Sequence, residues 1–394
     1  MMAPLASGNL ATDNLRSWPK MTSPTYHCPA CGADHPAGKP LWRCPCGGPL
    51  DLLPGPGLRR EDIVFGDASL WRYRKALQVS APRVSLGEGW TPLVTRDWAG
   101  ATIHFKLETQ MPTGSFKDRG TALMLNHLIE VGVGPIHEDS SGNAGSSIAT
   151  YAAAAGIPCR IYVPAAAPRG KIVQIAASGA DVVTVPGTRQ DVTTAAPGLA
   201  KSGVSFYASH NWHPYFIEGT QTLAFEIWEQ LGFRVPDNVL VPTGYGSNIL
   251  GLERGFAALG LKPPRLFAVQ AANCSALDVA WKAGAGDFVP FTPQPTVADG
   301  IATARPVRTA AVLAALRSSG GGVVAVGEAA IGPALAALGR LGIYVEPTSA
   351  TAGAALTRLL HDGAIKPGET TVAVLTGHGL KAADKIGELL GVKN

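Results

Sequence analysis

The chain is poor in charge: of its 394 residues only 16% are Asp, Glu, Lys or Arg, and the formal net charge is +4. No basic run is long enough to track a nucleic-acid backbone, so nucleic acid is not an expected partner. The densest basic patch, Arg72, Arg74 and Lys75 among Trp71 and Tyr73, reads as a solvated helix face. No apolar run reaches the length of a membrane span, and residues 1–20 lack the apolar centre of a secretory leader. Cysteine is scarce too. Six cysteines without a leader point to a reducing cytoplasm and away from a disulfide framework. No internal repeat or low-complexity tract stands out.

What is abundant is apolar. Hydrophobic residues make up 46% of the chain, enough for a substantial core, and the length suggests two or three units. Residues 1–23 are expected to be disordered and 24–53 to form a small ribbon. Pro54-Gly55-Pro56-Gly57 then marks a linker. Extended and helical patterns alternate beyond it. Arg160–Pro164, Asp181–Val185, Val204–Ser209, Asn238–Val241, Arg265–Gln270, Gly342–Glu346 and Thr371–Thr376 read as extended. Ile148–Ala155, Lys171–Ala177 and Ala224–Leu231 read as helical. This alternation predicts an α/β protein of two doubly wound, parallel-sheet domains with a ligand site between them. The smaller domain is expected over 120–220 and the larger over 54–119 and 221–394.

Within the ribbon, Cys28-Pro29-Ala30-Cys31 is followed after twelve residues by Cys44-Pro45-Cys46. Cysteine pairs so spaced read as a four-thiolate zinc site, although the second pair is Cys-x-Cys. Four protein ligands leave zinc no open position, so its role is read as structural. The alternative is a pair of disulfides, which a reducing compartment disfavours, or unligated thiols. Cys159 and Cys274 are left over and expected to be buried as small apolar residues.

The chemistry concentrates in four loops. Pro112-Thr113-Gly114-Ser115-Phe116-Lys117-Asp118-Arg119-Gly120 places a lysine where a turn enters a helix. Three apolar runs empty into Gly- and hydroxyl-rich turns: Ser140-Ser141-Gly142-Asn143-Ala144-Gly145, Thr243-Gly244-Tyr245-Gly246-Ser247-Asn248 and Thr376-Gly377-His378-Gly379. Loops at the carboxyl ends of strands are where α/β sheets bind ligands. Gly244-Tyr245-Gly246-Ser247-Asn248 reads as an anion cradle, with free amides at the start of the following helix. Taken singly, each residue has a plainer reading: Lys117 a surface cation, Ser140 and Ser141 helix caps, Thr376 and His378 turn residues.

Together these segments resemble the fold-type II pyridoxal phosphate enzymes, and within them the threonine synthase family, some of whose members carry such an N-terminal ribbon. Ser85-Leu86-Gly87-Glu88-Gly89 with Thr91-Pro92-Leu93, and Glu346-Pro347-Thr348-Ser349-Ala350, complete the likeness, which runs from about Ser85 to Leu380. The resemblance implies that Lys117 holds pyridoxal 5'-phosphate as a Schiff base and moves the substrate Cα proton. It implies that Asn143 bonds the cofactor's phenolic oxygen and that Gly244, Tyr245, Gly246, Ser247 and Asn248 cradle its phosphate. Thr376 would face the pyridine nitrogen, and a hydroxyl there favours elimination or replacement over transamination. Ser140, Ser141, Gly142 and Ala144 lie where the family binds its substrate. The implied partner is a small amino-acid substrate, and the family expectation is a homodimer.

The implied reaction is O-phosphohomoserine plus water to threonine plus phosphate. Two departures weigh against it. In His213-Pro214-Tyr215-Phe216-Ile217-Glu218-Gly219, Phe216 stands where many family members carry an arginine, and Ala144 stands where a threonine is common. Either another cation replaces it, with Arg305, Arg308, His210 and His213 as candidates, or the substrate lacks a phosphate. In the latter case the enzyme is a β-elimination or β-replacement enzyme: a serine/threonine dehydratase, a diaminopropionate ammonia-lyase or a cysteate-synthase-like enzyme.

Overall fold

The computed structural model describes residues 23–165, 169–187, 189–201 and 203–392. The disorder expected for 1–23 therefore falls, Ser23 apart, outside the described residues. The N-terminal strands are β1 (Thr25–His27), β2 (Asp34–Pro36) and β3 (Asp51–Leu52), followed by β4 (Leu93–Trp98), β5 (Ala101–Leu107) and helix α1 (Lys117–Glu130). The chain continues through β6 (Ile136–Glu138), α2 (Asn143–Ala154), β7 (Cys159–Pro164), α3 (Arg169–Ala177), β8 (Asp181–Val185), α4 (Arg189–Lys201) and β9 (Phe206–Tyr207). Next come α5 (Pro214–Thr220), α6 (Thr222–Gln230), β10 (Asn238–Pro242), α7 (Ser247–Ala258), β11 (Arg265–Ala271) and α8 (Ala276–Lys282). The last elements are α9 (Thr309–Ser319), β12 (Gly322–Val326), α10 (Glu328–Arg340), α11 (Pro347–His361), β13 (Thr371–Leu375) and α12 (Ala383–Leu390).

Three sheets result. The ribbon is antiparallel in the order β2-β1-β3, the small sheet is β8-β7-β6-β9, and the large sheet is β12-β11-β10-β13-β5-β4. The small sheet is parallel throughout, and in the large one only the edge hairpin β4–β5 is antiparallel. A parallel sheet covered on both faces needs strands apolar on both faces, and β10 and β13 are buried at every residue. Val372 and Val374 face α6, α7 and α9, while Ala373 and Leu375 face α10 and α11. A third core joins the ribbon's Tyr26, Leu50 and Leu52 to α1, α2 and the small sheet. No helix among the described residues is long and apolar enough to cross a membrane.

Three sequence readings need correction. Gly342–Glu346 is not a strand: Val345 makes one isolated bridge to His378, and the outer strand of the large sheet is β12 instead. The segment turns at Gly342 (φ +79°) out of α10 and delivers Glu346 to the start of α11. Helix α2 begins five residues before Ile148, at Asn143. The basic patch is a solvated face only in part: Lys75 is exposed and Arg74 half-buried, but Arg72 is not. Arg72 is buried against α6, its guanidinium 2.6 Å from a Glu229 oxygen and 3.7 Å from the centre of the Trp90 ring. The 3-10 turn over Leu70–Ala76 packs on α6 and buries Leu70, Trp71, Arg72, Tyr73 and Ala76, leaving Arg74 and Lys75 on its outer side.

A buried charge cluster joins the large sheet to α1. Arg119 is fully buried and grips two carboxylates, Glu108 (Nε to Oε2, 2.6 Å) and Glu226 (Nη1 to Oε1, 2.6 Å). Lys106 on β5 donates to Glu226 at 2.7 Å, to the Thr91 carbonyl at 2.6 Å and to Gln230 at 2.8 Å. The backbone amides of Trp90 and Thr91 also donate to Glu226. Burial pushes the Glu226 carboxyl up, but the Arg119 and Lys106 charges outweigh it and bring it down to about 2.

Breaking a buried pair from one side strands a charge. Arg119→Met is therefore expected to lower folding stability by roughly 3–5 kcal/mol in denaturant titration. Because the folded value lies below the ordinary 4.5, Glu226 stabilises above that pH and its contribution fades as pH falls toward about 2. Acid unfolding of the wild type should be steepest within that window and shallower in the variant. Equal stability of the two proteins at neutral pH would contradict the account.

Candidate functional site

A cleft of about 890 Å³ opens where β6, β10 and β13 end, between the two parallel sheets. Each of these strands spills into one of the loops singled out above, as parallel sheets require of a ligand site.

Lys117 is the first residue of α1 and lines this cleft. Its turn is tied down on both sides. Asp118 accepts from the Thr113 amide (2.7 Å) and hydroxyl (2.6 Å), and from the Ser147 hydroxyl (2.7 Å). The Phe116 amide donates to the Thr376 carbonyl at 3.0 Å, and the His378 amide donates to the Gly114 carbonyl at 2.9 Å. The Lys117 amine sits 4.3 Å from the centre of the Phe116 ring and 5.8 Å from that of Phe216. Burial pushes it down to about 8, against the opposing pull of the Glu346 and Glu138 carboxylates.

The remaining loops face it. Asn143 opens α2 and donates from Nδ2 to both Glu346 oxygens, at 3.1 and 3.2 Å, while its buried Oδ1 has no partner among the described residues. Gly377 is required here, since a Cβ would run into the Glu346 carboxylate. The Thr376 hydroxyl lies 3.1 Å from that of Ser349, which also takes the Gly377 amide at 2.9 Å. Gly244, Tyr245, Gly246, Ser247 and Asn248 wrap the start of α7. Gly246 has φ +92°, and a Cβ on it would collide with Val312. Both amide atoms of the buried Asn248 side chain lack a partner among the described residues.

Ser140, Ser141 and Gly142 line the cleft, and the Gly142 amide donates to Ser140 Oγ at 3.3 Å. Ala144 does not line it. One residue inside α2, its methyl has rotated into the core, where it is 1% exposed. Phe216 is likewise sealed off, fully buried with its ring against Gly120 on α1. Of the cations considered in its place, Arg305 lines the mouth, with its guanidinium 5.5 Å from the centre of the Phe288 ring. His210 lines the cleft and has Nδ1 3.0 Å from Glu138 Oε1. Arg308 is buried and held by Asp51, Leu50 and Trp212. His213 is buried among Tyr26, His127 and Tyr215 and does not reach the cleft.

Sequence reasoning missed two parts of the wall. One is residues 299–307, of which only Arg305 was considered; they precede α9 and follow no strand, so no strand-to-loop pattern marks them. The other is Pro49 and Trp212, brought in by docking of the ribbon. The contact of Glu346 with Asn143 was signalled only by a Glu-Pro helix start.

In the ribbon, Cys28, Cys31, Cys44 and Cys46 bring their sulfurs within 4.8 Å of one another. Cys28 and Cys46 are 3.6 Å apart and Cys31 and Cys44 3.7 Å, far beyond a disulfide. A tetrahedron with zinc–sulfur arms of about 2.3 Å has edges of about 3.8 Å. The donor set and its spacing fit a structural zinc ion. Cys274 is buried as expected, and Cys159 only partly so.

The family model for pyridoxal-phosphate dependent enzymes matches residues 84–377, which hold every lining residue of the cleft except Pro49 of the ribbon. The chain belongs to that family. Its relatives include the threonine synthases of Methanocaldococcus jannaschii, 34% identical over 91% of this chain and 93% of that protein, and of Methanosarcina acetivorans, 35% identical over 90% and 92%. Among solved structures it is similar to the processed form of threonine deaminase isoform 2 from Solanum lycopersicum. That likeness has a TM-score of 0.67 and 25% identity over 77% of this chain and 84% of that one. This pyridoxal-phosphate dependent enzyme thus has the α/β architecture of fold type II with a cysteine ribbon at its N-terminus.

The residues present fit the family's cofactor. Pyridoxal phosphate offers a phosphate, a phenolic oxygen and a pyridine nitrogen. The cleft meets them with the unpartnered Asn248 amide beside helix-start amides, the unpartnered side of Asn143, and a buried hydroxyl on Thr376.

Loss of one thiolate should be felt in the ribbon and not in the chemistry. Cys28→Ser is expected to reduce bound zinc, read by elemental analysis, and to lower the thermal midpoint while leaving the cofactor spectrum unchanged. A metal-free wild type of full stability would refute the zinc assignment.

Proposed function

We propose that this protein is a threonine synthase, converting O-phosphohomoserine and water to threonine and phosphate. The observation that carries the reading is the 34–35% identity to threonine synthases over 90–91% of the chain. The cleft supports it by placing Lys117 in one cavity with Arg305, which forms no ion pair among the described residues. A guanidinium is suited to a phosphate because its fork matches the oxygens.

In this reading Lys117 carries the cofactor and moves the proton at the substrate Cα. An amine brought down to about 8 is partly neutral near neutral pH, as a nucleophile and base must be. Bound pyridoxal phosphate supplies the electron withdrawal that acidifies Cα. Asn143, anchored by Glu346, would hold the cofactor's phenolic oxygen, and residues 244–248 would hold its phosphate at the start of α7. Thr376 would offer the ring nitrogen a hydroxyl and not a carboxylate, which would favour expulsion of a leaving group. Ser140, Ser141 and Gly142 take the substrate carboxylate at the start of α2. Arg305 holds the phosphate that leaves Cγ while water adds at Cβ.

A second reading is favoured by one observation. Phe216, where many threonine synthases have arginine, is sealed off from the cleft near Lys117 and offers no cation there. On this reading the substrate has no phosphate, and the enzyme performs β-elimination or β-replacement.

Four experiments test the proposal. Phosphate release from O-phosphohomoserine, followed together with threonine, should be stoichiometric. Arg305→Gln should raise KM about tenfold with a smaller effect on kcat, as loss of a charged hydrogen bond does. Keto acid from serine or threonine, without phosphate release, would move the chain to the second reading. Lys117→Ala should abolish turnover and the cofactor's near-visible absorbance. Capture of pyridoxal phosphate by the apoprotein should quicken with pH around a midpoint near 8, and a midpoint near the ordinary 10.5 would remove the argument for an activated lysine.

A further inference from the structure

The cysteine ribbon does not merely cap the molecule, because its inner edge is part of the cleft. Pro49 lines the cavity, and the next residues, Leu50 and Asp51, are held from the opposite side by a single buried guanidinium. Arg308 donates from Nη1 to the Asp51 carboxylate, and from Nη2 to the Leu50 carbonyl (2.6 Å) and to the Trp212 carbonyl (3.1 Å). Three separate stretches of chain meet on it: the ribbon, the 209–213 loop, and the 299–307 segment that ends at Arg308 itself. Each contributes residues to the wall of the cleft, and Arg308 is only 6% exposed.

A second contact closes the same triangle. Trp42 of the ribbon stands edge-on to Tyr207 (5.0 Å between ring centres) and to Trp212 (5.5 Å), both of which line the cleft. Arg305, three residues before Arg308, lies on the segment so anchored. Arg308 itself does not line the cavity, so it acts on a substrate only through these neighbours.

We propose that Arg308 is a positioning residue that locks the ribbon, the Trp212 loop and the Arg305 segment into one substrate-facing wall, and so sets affinity for the amino-acid substrate. The identity of that substrate rests on the reading above; the coupling does not. A planar fork that satisfies a carboxylate and two carbonyls at once fixes their separations, as a lysine's single ammonium does less firmly. Small misplacement of a wall that binds substrate weakens binding before it alters the cofactor or its lysine.

The experiment uses the cofactor-loaded full chain. In Arg308→Met, KM for the substrate the wild type turns over should rise about tenfold, with kcat and the cofactor's near-visible absorbance held within about threefold. Arg308→Lys should recover part of the loss. Should Arg308→Met fail to fold, Asp51→Asn removes the charge from the ribbon side alone and should raise KM about threefold. If O-phosphohomoserine is not a substrate, the same variants are compared by the serine or threonine concentration that half-shifts the cofactor spectrum, so failure of the assigned reaction and failure of the coupling are separable. An unchanged KM, or an unchanged half-shift concentration, in variants that fold would overturn the proposal. So would kcat, KM and cofactor absorbance deteriorating together, which marks a purely structural role.

Discussion

Two cations, Lys106 and Arg119, and two carboxylates, Glu108 and Glu226, are buried together with no exposed side chain among them, and the geometry of the cleft depends on that cluster. Each member comes from a different place: β5, the turn after it, α1 and α6. Arg119 lies two residues past Lys117, so the first turn of α1 cannot shift without stranding a charge. The same carboxylates take the Trp90 and Thr91 amides and the Thr91 hydroxyl, which binds the chain before β4 into the cluster. Such a cluster contributes position more surely than net stability, because desolvation offsets much of the attraction. A lysine that must reach one cofactor atom needs that kind of positioning.

Around this anchor the cleft is completed by backbone bonds between loops distant in sequence. The turn before Lys117 is paired with residues 376–378, which in turn pair with 345–346. Glu346 then reaches across to Asn143 on the small-sheet side. The hydroxyl, the carboxylate, the amide and the turn that carries the lysine are therefore one hydrogen-bonded unit spanning both sheets. The atoms left unpartnered, on Asn143 and Asn248, lie where a phosphorylated aromatic cofactor would supply partners.

Substrate choice is what we assign to the outer wall. The cofactor side is rigid and buried, whereas the outer wall is assembled from the ribbon, the Trp212 loop and residues 299–307. Phe216 bears on this division from below: buried against Gly120, it supports α1 under Lys117 and offers no charge to any ligand. A phosphate-bearing substrate must then find its cation on the outer wall, where Arg305 stands.

The sequence by itself determined the fold class, the cofactor and the cysteine cluster. Apolar runs such as Val372–Leu375 are buried on both faces only in a covered parallel sheet, and glycine- and hydroxyl-rich loops directly after strands announce a ligand site. Local pattern could carry that much because backbone turns and strand burial are local constraints. It could not show that Arg72 is buried, that residues 342–346 form no strand, or that Ala144 turns away from the cleft, since each depends on what packs alongside. Nor could it give Arg308 its three partners, which lie some 95 to 260 positions away in the chain. Those contacts exist only once the ribbon has docked, because a buried guanidinium must find its acceptors wherever the tertiary structure brings them.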